Sequence, residues 1–209
     1  MTKTITRVYD DYALAEETVR ELQGAGLGAS HIGLVASNAD GWHRPGSKSV
    51  SPIHDKDRDG KDDRAEGAAT GGGLGAIVGG AAGVAAGLGM IAIPGIGPVV
   101  AAGWLAALAA GAVGGGVAGG LIGALVESGT SKENAQLYAE ALRRGGALVT
   151  AKVSDDDEAQ YAAIMDHRAF DVTERGQIWR DEGWTGYDPD APAYTAEEVA
   201  RERATYNRP

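Results

Sequence analysis

Between Thr4 and Tyr9 (TITRVY) apolar and polar residues alternate, the period of a half-buried strand. Asp10 and Asp11 follow in capping position, and Leu14, Ala15, Val19 and Leu22 recur at helical spacing until Gly24 and Gly26 end the run. His31–Ser37 (HIGLVAS) reads as a second strand. The order returns near the other end of the chain. Ala147–Val153 (ALVTAKV) predicts a strand, Ser154 and Asp155 cap a helix running to about His167, and Phe170–Glu174 (FDVTE) predicts another strand. A helix precedes this half, opened by the capping box Thr130-x-x-Glu133. It carries Leu137, Tyr138, Ala141 and Leu142 inward and stops at Gly145-Gly146. A single β-α-β unit of about 35 residues buries too little surface to stand alone. The two halves therefore predict one composite α+β domain, a ferredoxin-like split βαβ/αβαβ arrangement of four strands with helices on one face. Two separate small units are the alternative.

The halves are divided by an uncharged block. From Glu66 to Glu127 the 60 intervening residues hold no Asp, Glu, Lys, Arg or His. Within it glycine recurs every fourth residue, at Gly71, Gly75, Gly79, Gly83 and Gly87, and again at Gly111, Gly115, Gly119 and Gly123. Each glycine in a helix costs roughly 1 kcal/mol relative to alanine. Repeating that cost on one helix face makes physical sense where two backbones approach closely. Helices over 68–90 and 98–126, joined at IPGIGP (93–98), predict an inserted antiparallel glycine-zipper helical hairpin. Its outer surface meets either lipid or further protein. The absence of charge and the length, about 34 Å for the first helix, suit a bilayer, with Trp104 near an interface. The scarcity of Leu, Ile and Val in the first helix suits a buried protein core. Either surrounding implies self-association into a homo-oligomer. The pattern divides the chain into residues 1–37, a linker at 38–66, the hairpin at 67–127, the second half-domain at 128–176, and a C-terminal arm at 177–209. In that arm Thr195 to Glu198 forms another capping box, predicting a short helix over 196–205 in an arm that packs on its own domain or on a neighbouring subunit, with a mostly disordered acidic tail as the alternative.

Composition narrows the chemistry. The formal net charge is −10, which repels phosphate backbones and argues against nucleic acid as a partner. No cysteine is present, so thiolate catalysis and zinc–thiolate sites are excluded. The first residues lack the apolar core of a secretory signal, and a cytoplasmic or cytoplasmic-membrane location is expected. The linker stretch DKDRDGKDDRAE (55–66) follows the twelve-residue calcium-loop pattern. Asp55, Asp57 and Asp59 would supply positions 1, 3 and 5, and Lys61 a backbone carbonyl. Asp63 would supply the water-bridged ninth position and Glu66 the bidentate twelfth. Against calcium stand Asp62 where a hydrophobic residue is usual, the absence of a preceding helix, and the lack of a paired loop. A solvated acidic linker is the alternative. His31, His43, His54 and His167 show no metal spacing, and GGGLGA follows no strand, which excludes a dinucleotide fingerprint. Asp10-Asp11 and Asp155-Asp156-Asp157 read as helix caps rather than as acid–base pairs.

The stretches RVYDDYALAEETVRELQGAGLGASHIGLVAS, AIPGIGPVVAAG beside the glycine repeats, and RRGGALVTAKV together resemble the bacterial general stress protein (heat-induced stress protein) domain family over residues 4–176. The tail, with GWTGYDP, YTAEE and ARER, resembles an extension seen on some members. That resemblance implies a stress-associated, non-enzymatic protein with no catalytic residues to carry over. The expectation is a self-assembling stress-response protein, associated with a membrane. A soluble calcium- or ligand-binding homo-oligomer is the alternative.

Overall fold

The computed structural model describes residues 2–43, 89–93, 96–106 and 119–206. The seven zipper glycines from Gly71 to Gly115, the whole 55–66 loop and His54 lie outside these residues. The described chain is mixed α+β, with a five-stranded, wholly antiparallel sheet. Strand β1 (Thr2–Tyr9) leads to helix α1 (Tyr12–Gly24), and a 3-10 turn at Ala29–His31 leads to β2 (Ile32–Ser37). A hairpin follows, β3 (Gly89–Ile93) and β4 (Gly97–Gly103). Then come α2 (Gly119–Glu127), α3 (Lys132–Arg143), β5 (Ala147–Ser154), α4 (Glu158–Asp166), α5 (Val172–Asp181) and α6 (Ala196–Tyr206). The spatial order is β1-β5-β2-β4-β3.

β5 runs antiparallel to both β1 and β2, so the strand from the second half sits between two parallel strands from the first. The halves thus share one sheet. Side-chain alternation sends Ile5, Tyr9, Leu34, Val149 and Val153 to one face, where α1 contributes Val19 and Leu22 and α4 contributes Tyr161 and Met165. The other face receives Val8, Val35, Val99 and Leu148, covered by Leu121 and Leu125 of α2, Leu137 and Leu142 of α3, and Trp179 of α5. Helices therefore cover both faces, a correction to the one-faced layer expected. The cause is visible in β2: IGLVAS is buried at every position, as a strand sandwiched between two layers must be.

The elements obey local rules with three shifts. Asp11 caps α1, its carboxylate accepting from the Leu14 amide at 3.0 Å. The cap of α3 is Ser131, accepting from Asn134, one residue past the expected Thr130, whose amide closes α2 on Leu125. Ahead of α4, Ser154 accepts from the Asp157 amide, and the helix starts at Glu158 rather than at the expected cap. FDVTE keeps a single antiparallel bridge, Phe170 to Val8, and then turns into α5 instead of continuing as a strand. The reason is Asp171, whose carboxylate accepts from the Thr173 and Glu174 amides at 2.7 and 3.2 Å. Those two amides hold the Asp171 pKa below its ordinary value. The stabilisation from this depressed pKa is complete above the ordinary aspartate pKa of about 4 and is lost as pH falls through the folded value. Asp171→Ala should cost about 1 kcal/mol at neutral pH. Its difference from the parent in urea unfolding should shrink below about pH 4.

The largest departure lies in the uncharged block. Residues 98–103, expected in the second zipper helix, belong to β4, and 89–90, expected in the first, belong to β3. β3 and β4 pair as a β-hairpin at the sheet edge, with Gly97 at φ +103 and the Ile96 amide donating to the Ile93 carbonyl. Trp104 packs on the protein's own sheet, its ring 4.1 Å from the Lys152 ammonium and its indole against Gly33. It is thus part of the fold. Among the described residues no helix is long and apolar enough to cross a membrane.

Candidate functional site

A cleft lies beneath α6, where the end of α3, the residues just before α1 and one side of α5 converge. Its chemistry comes from guanidinium groups, carboxylates and aromatic rings. Arg175 of α5 lies between the Phe170 and Tyr206 rings, its carbon 3.6 and 4.0 Å from their centroids, and its Nη1 donates to the Asp10 carboxylate. Such stacking on two rings is strongest where water is excluded, and the Arg175 side chain is only 14% exposed.

The RRGG segment builds the next layer. Glu140, fully buried on α3, accepts from Arg143 at 3.1 Å and from Arg144 at 2.7 Å. Arg144 also donates to Glu202 of α6 at 3.0 Å and covers the Trp179 ring at 4.8 Å, while the Trp179 indole N–H donates to the same Glu202 oxygen at 3.0 Å. Burial alone would lower the Arg144 pKa. Hydrogen bonds and charge from Glu140, then from Glu202, outweigh it and raise the pKa, so the guanidinium stays charged. Arg143 donates twice to the Pro192 carbonyl, at 3.3 and 3.2 Å, and lies over the Tyr194 ring at 4.7 Å. Gly145, at φ +100, ends the helix, and a Cβ on it would stand 2.3 Å from Val199. Glycine is thus required twice at one position, for backbone sign and for the seat of Val199.

From the arm, α6 starts with the expected capping box: the Thr195 amide donates to Glu198 at 2.8 Å and the Glu198 amide to Thr195 at 3.3 Å. Arg203 reaches three partners, Asp40 at 2.8 Å, the Gly145 carbonyl at 2.8 Å and the Asp10 carbonyl at 3.2 Å. The arm packs on its own domain. The free space left between these groups is about 10 Å³, room for a single water. Every guanidinium named above is committed to a side chain or a backbone carbonyl, and every carboxylate to a side chain or a backbone amide. The arrangement binds the arm.

The sequence-derived candidates fall elsewhere. Asp55, Asp57, Asp59, Lys61, Asp63 and Glu66 lie outside the described residues, and among the described ones no group of three acidic or histidine side chains could hold a metal. Of the zipper glycines, Gly71, Gly75, Gly79, Gly83, Gly87, Gly111 and Gly115 lie outside as well. Gly119 opens α2, and Gly123 lies one turn further along the same face. A Cβ on Gly123 would meet nothing within 4 Å among the described residues. Of the paired carboxylates, Asp11 caps as expected, whereas Asp10 serves as the partner of Arg175. The arginine cleft itself was not anticipated. Its one sequence signal was the adjacency of two arginines and two glycines at the end of an apolar helix.

Three comparisons with known proteins bear on this geometry. No protein-family model, curated protein or solved structure matches the chain.

Proposed function

We propose that this is a non-enzymatic protein of the general stress type that assembles with copies of itself through its uncharged glycine-rich block, in the cytoplasm or at the cytoplasmic side of a membrane. The folded base would be ferredoxin-like. In support, β1, α1, β2, β5 and α4 follow the split βαβ order, with the Phe170 bridge to β1 standing where a fourth strand would run. The β3–β4 hairpin, α2 and the arm would be additions to that core.

The observation that carries the assembly reading is the orientation of α2. Leu121 and Leu125 are buried against the domain, whereas Val126 is 41% exposed and the Gly123 position opens on free space among the described residues. The repeating glycines thus continue onto a face that the described residues of its own domain leave open, where a second backbone can approach.

Gly123→Leu tests it. The position has room for a side chain, so the folded base should keep its stability. The native mass should fall from an oligomer towards the monomer. An unchanged oligomer mass refutes the role of this face. Comparing native mass with and without detergent, together with fractionation, assigns the remaining contacts to protein or to lipid.

A further inference from the structure

The arm lies on the body of its own chain. Val199 is the one buried residue of α6. The other attachments of the helix described above involve polar or charged groups: Glu202 to Arg144 and Trp179, Arg203 to Asp40 and two backbone carbonyls, and the Tyr206 ring on the Arg175 guanidinium. Between α5 and α6, residues 182–195 form neither helix nor strand. Two glycines at positive φ stand at the start of that stretch, Gly183 (+100) and Gly186 (+147). The Gly183 amide donates to the Arg180 carbonyl and the Trp184 ring packs on Trp179, whereas a Cβ on Gly186 would meet only the Gln136 side-chain oxygen at 4.0 Å, which makes Gly186 the hinge position of the two.

We propose that the segment from Tyr187 to Tyr206 exchanges between copies of this chain, so that α6 of one copy fills the arginine cleft of another. The groups that recognise it are unchanged in the exchanged state: acidic Glu202 meets Arg144, and basic Arg203 meets Asp40 and the Gly145 carbonyl. An exchange of identical elements makes no new contact type and costs only the opening of the hinge. This inference rests on the self-assembly reading, because copies already joined by the glycine-rich block present their arms to one another at high effective concentration. The occupant is a second copy because the cleft is shaped to one helix: Val199 needs the missing Cβ of Gly145, and Glu202 must receive Arg144 and Trp179 together.

The test uses two full-length variants, Arg203→Asp and Asp40→Arg, carrying different tags. Both positions are on the surface of the arm contact, 24% and 29% exposed. Alone, each variant opposes like charges within a chain and between identical chains. Cleavage in 182–195 by a protease should then be about tenfold faster than in the parent, since cleavage follows the open population. Mixed one to one, the variants are complementary only across chains. The acidic arm of the Arg203→Asp variant fits the basic body of the Asp40→Arg variant. The unaltered arm of the second fits the unaltered body of the first. Expected on mixing are restored protection and co-purification of the two tags. Unrestored protection overturns the proposal, as does either variant remaining fully protected alone. The parent's native mass separates the two readings. A parent oligomer with an unprotected mixture defeats exchange and leaves self-assembly standing; a monomeric parent defeats self-assembly on its own account.

Discussion

Gly103→Ala is expected to lower the unfolding free energy by about 4 kcal/mol, the sum of left-handed backbone strain and overpacking against atoms that cannot yield. Gly103 ends β4 at φ +69, a conformation that alanine adopts at a cost of roughly 1–2 kcal/mol. Its Cβ would stand 2.1 Å from the Ile32 carbonyl oxygen and 3.3 Å from the Gly33 Cα. Both are backbone atoms of β2, and β2 is itself held on its other side by β5. The clash therefore cannot relax by rotating a side chain. It must pull β4 away or shift the strand in the middle of the sheet. The sign is informative as well as the size. In a solvent-exposed helix interior the same change would stabilise by about 1 kcal/mol. Urea unfolding of the two proteins reads the sign directly, and a stabilised variant would refute the close approach of Gly103 to β2.

Glu140→Ala is expected to cost about 3 kcal/mol, the usual range for removing one partner of a buried ion pair. Glu140 is 1% exposed, and its two oxygens serve Arg143 and Arg144. Without it, Arg144 keeps only its carboxylate partners beyond α3, chiefly Glu202 on α6, and loses the one that fixes it to its own helix. The variant should therefore show two effects with different magnitudes. Global stability in urea falls, and protease cleavage between α5 and α6 rises further than the global change accounts for. Glu140→Gln retains an acceptor and the shape, so it should fall between the parent and the alanine variant. Equal protection of the arm in parent and Glu140→Ala would show that Val199 and Arg203 hold α6 without the RRGG layer.

These two positions also mark where sequence reading succeeded and where it stopped. Asp11 on α1 and the Thr195–Glu198 box on α6 were legible because a cap is satisfied within three or four residues of itself. Strands β1, β2 and β5 were legible because apolar and β-branched residues dominate each of them. The β3–β4 hairpin was not, although GMIAI and GPVVAAG hold β-branched residues on either side of Ile96. A run of glycine at helical spacing masks that signal, and the strands are stable only because β2 offers a partner more than fifty residues earlier in the chain. FDVTE failed for a related reason, since Asp171 offers a helix cap that competes with strand pairing, and only one bridge to Val8 survives.

What the sequence determined by itself was the set of local elements at both ends of the chain, the acidic and cysteine-free chemistry, and the uncharged block between. Each depends on the composition or spacing of neighbours. What the tertiary structure decided was order and pairing. It put β5 between β1 and β2, covered both faces of the sheet, and drew the middle of the uncharged block, at β3 and β4, into its edge. It also joined Arg143, Arg144 and Gly145 to an arm some fifty residues downstream. Those outcomes turn on hydrogen bonds and ion pairs between residues far apart in the chain, whose partners carry no periodic signal and become neighbours only when the sheet has formed.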